Sequence, residues 1–285
     1  MAVYRRNYRA YSGPLTPGSA RWLVLFRYGR RNLFKSRVQT GFFVACFFYP
    51  VICLAMIYLA HSVSFLQKIG IPGEFISIDN NFFLRFINIQ GVLAFLMTAF
   101  AGPGLISPDL ANGAMPLYFC RPLSRAEYVL GKSSALALLL SQITWIPGLI
   151  LFAIQCTLAG GSWTWDNLWI VASLLVSSLL WIALLCLLAM ALSAWVKWRI
   201  VAGALLLALM FFGAGFGQAI NVVLRTDAGH LFNVGYLMAV VWSALFQVDS
   251  LRDIPVANAT IALLAYGAAC LALLMRKVRA YEVVR

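Results

Sequence analysis

Six stretches free of Asp, Glu, Lys and Arg decide most of what this chain can become: 40–60, 86–106, 133–158, 168–194, 200–220 and 256–275. A helix rising 1.5 Å per residue crosses the ~30 Å hydrocarbon layer in about 20 residues, so each stretch is long enough to span. In lipid every backbone N–H and C=O must be bonded internally, which leaves only helices or closed barrels. Barrel strands would be about half as long and would alternate in polarity. The expected fold class is therefore an all-α polytopic membrane protein with six transmembrane helices. Composition agrees, since 62% hydrophobic and 11% charged residues provide too little charge to cover a soluble domain.

The basic residues orient these spans. With the N-terminus in the cytoplasm, all Lys and Arg except Lys68, Arg85, Arg225 and Arg252 fall on the inner side. That bias predicts cytoplasmic N- and C-termini and places the protein in the cell inner membrane. The net charge of +13 thus reports topology, and no basic patch outside membrane-flanking sequence points to nucleic acid. No apolar stretch precedes Trp22, so a cleaved signal peptide is not expected.

Two further segments need their own reading. Leu231 to Val248 is apolar and uncharged, but a full span there would carry Arg276, Lys277 and Arg279 to the outer side. A partly inserted helical hairpin on the outer face, before the last span, keeps the charge pattern; a seventh span is the alternative. In 19–37, Trp22, Phe26, Gly29 and Leu33 share one helical face, while Arg21, Arg27, Arg31 and Lys35 lie roughly opposite. This is an amphipathic helix for the inner interface, either an anchor alone or also a ledge for a cytosolic partner. The polar residues 1–18 form a flexible basic arm.

Chemistry is sparse. Cys46, Cys53, Cys156, Cys186 and Cys270 lie in apolar runs and Cys120 in a connection, without metal-ligand spacing; His61 and His230 are isolated. There is no carboxylate pair within a span, no nucleophilic triad and no HExxH, so no catalytic residue, metal or cofactor is expected on this chain. Gly131-Lys132-Ser133 imitates the end of a phosphate-binding loop, but the glycine needed five residues earlier is Ala126. The spans hold only uncharged polar groups, of which Gln90, Gln142, Gln155, Gln218 and Asn221 could line a pathway. Ion-coupled carriers keep an ionisable group near the midplane, so energy for uphill movement must come from elsewhere.

The most informative stretch runs from Gly102 to Lys132. Gly102, Pro103 and Gly104 weaken the end of the second span. Ser107 is placed to cap a short helix with Pro108 at its first position and Asp109 in its first turn. Gly113 and Pro116 keep that helix short, and 121–125 (Arg-Pro-Leu-Ser-Arg) turns the chain back. Leu110, Met115, Leu117 and Tyr118 are expected to form an exposed apolar edge that meets a partner.

An acidic residue after the second span, a small helix, Pro122-Leu123-Ser124-Arg125 and Gly131-Lys132 together resemble the type-2 ATP-binding-cassette exporter permeases. The amphipathic helix, six spans and outer hairpin extend that resemblance along nearly the whole chain. It implies a permease domain over 38–285 with a coupling segment at 107–125, resting in a cytosolic ABC ATPase subunit. The matched coupling positions are Ser107, Pro108, Asp109, Leu110, Ala111, Asn112, Gly113, Met115, Leu117 and Tyr118. ATP and Mg would belong to the ATPase chain, and a second permease copy or homologue would complete a dimer. Leu110 stands where the family often has Arg after the acid, which leaves open what pairs with Asp109. Gly213 and Gly217 form a GxxxG that either packs within one subunit or faces the dimer seam. The competing functional reading is a non-transporting anchoring or assembly subunit partnered with an ATPase.

Overall fold

The computed structural model describes residues 20–62, 77–119, 123–248 and 253–277, which are helical with no strand among them. The arm 1–18, Lys68, Cys120, Arg121, Pro122, Asp249, Arg252, Arg279 and Arg285 lie outside these residues. Six helical stretches are long and apolar enough to cross a membrane. The first is α2 (Arg37–Ala45) continued by α3 (Phe48–His61), and the second is α4 (Asn80–Ala101). The third is α7 (Arg125–Ile143) with α8 (Trp145–Ala159). After a short α9 (Gly161–Asn167) come α10 (Trp169–Trp195), α11 (Arg199–Leu224) and α13 (Val256–Lys277). Before them lies α1 (Trp22–Leu33), and between α4 and α7 sit α5 (Ser107–Ala111) and α6 (Met115–Phe119).

These helices overrun the uncharged windows. Asp79 caps α4 by accepting a hydrogen bond from the Phe82 N–H, so Arg85 lies within that helix. Ser124 and Glu127 form a reciprocal capping box that starts α7 eight residues before Ser133. Lys132, expected in a connection, is therefore helical. The backbone ladder continues past the uncharged windows at these ends.

Burial separates the spans. In the most apolar part of each helix, 67% of residues are buried for α4 and 56% for α10, against 11% for α13. The two central helices meet through two tryptophans. Trp181 and Trp242 cross edge-on at 5.7 Å, and each indole N–H donates to a backbone carbonyl, of Gly91 and Ser177 respectively. A methyl on Gly91 would overlap the Trp242 ring, so glycine lets the ring reach the α4 backbone.

Trp242 belongs to α12 (Val234–Leu245), whose 12 residues cover about 18 Å, short of a full crossing. A 3-10 turn (Ala228–Phe232) precedes it and runs back along α11, with Gly217 against Gly229 and Gly213 against Phe232. The chain then reverses at Asn233, whose side chain accepts from the Tyr236 N–H, and α12 returns toward the starts of α4 and α10. There Asn80 Nδ2 donates to Phe246 O (2.9 Å) and Ser173 Oγ to Leu245 O (2.7 Å). The chain from 225 to 248 thus runs down beside α11 and comes back as α12, whose buried face includes Leu237, Met238 and Val240.

The third stretch is broken at Thr144, where the backbone leaves helical geometry three residues before Pro147. Proline supplies no N–H to the carbonyl of Ile143, and the Thr144 N–H and Oγ1 both donate to Leu140 O. Near the start of this stretch α1 lies alongside α7. Gly131 stands against Leu25 and the Trp22 carbonyl, and Gly29 against Ala135. Contacts that advance four residues on both helices mean that α1 runs beside α7. Leu25, Gly29 and Leu33 are buried there, while Arg27, Arg30 and Arg31 remain exposed. The expected two-sided helix is present, with its apolar stripe spent on α7.

Candidate functional site

The short helices α5 and α6 lie at the end of the bundle that carries α1 and most of the described basic residues. The descent into them is tightly packed: a methyl on Gly102 would sit 2.5 Å from Ala189 Cβ of α10. One hydroxyl on α10 then organises the turn. Ser193 Oγ accepts from the N–H groups of Ile106 (3.1 Å) and Ser107 (2.9 Å) and lies 3.1 Å from Pro103 O. Ser107 Oγ donates to the Ser193 carbonyl at 3.1 Å. The local pattern predicts Ser107 as the cap of α5; in the structure the cap position is Ile106, and the serine is committed to α10. All these atoms belong to buried residues, so losing the hydroxyl leaves two amide donors without their acceptor. Ser193→Ala should cost about 1–3 kcal/mol of stability, read from unfolding in detergent, while Ser133→Ala on α7 should be near neutral.

On its other side α5 is bound to α7. Asp109 Oδ2 lies 2.9 Å from Lys132 Nζ and accepts a 2.7 Å hydrogen bond from the Tyr128 hydroxyl. Tyr128 and Lys132 are one turn apart, so both face the same carboxylate. The side chains of Lys132 and Asp109 are only 6% and 15% exposed, so this ion pair is shielded from water. Lys132 Nζ also lies 5.8 Å from the Tyr128 ring and 6.0 Å from the Tyr118 ring, and the two rings pack at 5.4 Å. Burial first, and then the neighbouring Asp109 charge, push the Tyr118 hydroxyl above its ordinary pKa. The cation opposite Asp109, left open by Leu110, is therefore Lys132 of the following span.

The expected apolar edge is narrower than residue type implied. Met115 is buried, and Leu110 and Tyr118 are half-buried against the bundle. Leu117, 71% exposed, projects outward, with Ala111, Asn112, Gly113 and Pro116 exposed beside it. Gly113 has φ +62°, a left-handed turn that ends α5 and redirects the chain into α6. Behind the two helices is a cavity of about 280 Å³, bordered by Asp109, Met115, Trp195, Lys197 and Lys277.

The polar span residues do not come together. Gln90 is buried and its Nε2 donates to Cys46 O at 3.3 Å; Gln155 is buried elsewhere, on α8. Gln218 is exposed on α11, and Asn221 Oδ1 accepts from the Gly229 N–H at 2.7 Å. Gln142 lines a cavity between α1, α2 and α7 that none of the others reaches. Gly213 and Gly217 face the 3-10 turn of their own chain. Among the described residues, no three His, Cys, Asp or Glu gather into a metal-binding group.

Sequence reasoning missed Tyr128 and Ser193 and used Lys132 as an orienting charge and a motif position, not as the partner of Asp109. An aromatic hydroxyl and a lysine four apart at a helix start were visible as a shared face, but Ser193 is a small residue in an apolar run. No protein-family model matches the chain, and no curated protein matches it.

Proposed function

We propose that this chain is the membrane-spanning permease subunit of an ATP-driven exporter, with α5 and α6 as its contact with a separate cytosolic ATPase. In this reading the basic end is cytoplasmic, both termini are inside, and the α12 hairpin enters from the outer face of the cell inner membrane. Two permeases, identical or homologous, sit over two ATPase subunits that hold ATP and Mg. The observation that carries the reading is the double fastening of α5, to α10 through Ser107 and Ser193 and to α7 through Asp109 and Lys132. A push on Leu117 is then delivered to two spans at once. The described charged residues of the spans all lie near helix ends, which leaves no midplane group for ion coupling.

Leu117→Asp tests this directly. The variant should fold and insert normally, because Leu117 is exposed, yet lose most of the ATPase stimulation shown by the complex with its co-purifying P-loop protein. Unchanged stimulation would overturn the assignment. One observation favours the non-transporting alternative: the span amides are dispersed, with Gln90 bonded to Cys46 O, Gln155 buried on α8 and Gln218 exposed on α11. Reconstituted complexes that hydrolyse ATP without moving any of a panel of lipid, glycan, drug and peptide substrates would favour it.

A further inference from the structure

We propose that the cleft between α1, α2 and α7 is a seat for an anionic phospholipid, with its phosphate on Arg30 and one acyl chain inside. The cavity measures about 300 Å³. Its walls are Leu33 and Phe34 of α1, Phe43 of α2 and Leu139 of α7, with Arg30 as its one charged lining residue and Gln142 at its far side. Phe34 and Phe43 meet edge-on at 5.4 Å and close one flank. Such walls exclude water and accept hydrocarbon.

The cation sits at the level where a headgroup belongs. Gly29 packs on Ala135, so Arg30 lies near that turn of α7. Counting about 20 residues back from Ala159, the end of α8, places the edge of the hydrocarbon layer near Leu140. Arg30 is therefore just outside that boundary, whereas Leu139 and Gln142 straddle it. No described residue forms an ion pair with Arg30, and Arg27, one turn earlier on the same face, is also exposed. Charge complementarity thus selects an anionic over a zwitterionic headgroup, with basic residues near a membrane surface each giving about fivefold preference. This inference needs only the membrane setting and is independent of the exporter reading.

The full-length protein, purified in mild detergent, would be mixed with equimolar dioleoyl phosphatidylglycerol and dioleoyl phosphatidylcholine, and retained lipid counted by native mass spectrometry. Phosphatidylglycerol should be retained in preference, and Arg30→Gln should reduce that preference about fivefold. Arg31→Gln, which alters a neighbouring exposed cation outside the cleft, should leave most of it. Leu138→Trp, which fills the cleft, should lower retention of both lipids. Equal retention of the two lipids by the unmodified protein, equal effects of Arg30→Gln and Arg31→Gln, or full retention in Leu138→Trp would each overturn the proposal.

Discussion

Asp109→Asn should destabilise the folded protein by about 3 kcal/mol, because it leaves the Lys132 ammonium in a water-poor site without its counter-charge. Lys132→Met should cost less. Its removal leaves a carboxylate that is the more exposed partner and still accepts from Tyr128. The double variant Asp109→Asn with Lys132→Met should recover much of the loss, giving a coupling energy of about 1–3 kcal/mol in a double-mutant cycle. Chemical unfolding in detergent provides the measurement, and strictly additive effects would show that the pair contributes nothing specific. If α5 also relays force, ATPase stimulation should fall in both single variants before global unfolding is reached. That second readout separates loss of coupling from loss of fold.

The second large effect is expected at Gly217. A methyl there would overlap the Gly229 carbonyl oxygen, and the Gly229 N–H is itself held by Asn221. Neither side can yield by rotating a side chain, since both surfaces are backbone. Gly217→Ala should therefore cost about 1–3 kcal/mol and loosen the hairpin from α11. Gly215, two residues away, faces open space, so Gly215→Ala should be neutral or stabilising by up to about 1 kcal/mol. Unfolding measurements on the two variants, with cysteine-labelling rates at position 231, give the comparison. Equal behaviour would mean that the apposed backbones carry no packing constraint.

The number of membrane-length helices was readable because hydrocarbon imposes a simple rule, about 20 residues without charge, which 40–60 and 168–194 obey plainly. Helix ends were not, because Arg85 and 125–132 continue the hydrogen-bond ladder past the uncharged windows. The site was legible as a location. Asp109 and Gly113 lie in the connection where the pattern placed them, but the one short helix expected is two, with Pro116 inside the second, and their partners come from distant chain positions. Ser107 has the local grammar of a cap, yet an acceptor 86 positions away claims its hydroxyl. Met115 and Tyr118 read as exposed from their setting in a connection, whereas burial depends on what stands opposite, here the bundle floor and Tyr128.

The interruption at Thr144 divides the third crossing into two arms. The lower one carries both α1 and the lysine that grips Asp109, while the upper one packs against α3 and α9. Pro147 provides no backbone donor across the joint, so the ladder there is one bond short and changing the angle between the arms costs less than in an unbroken helix. Thr144 thus gives the third stretch a joint, at which displacement of the lower arm can be absorbed before it reaches the upper one.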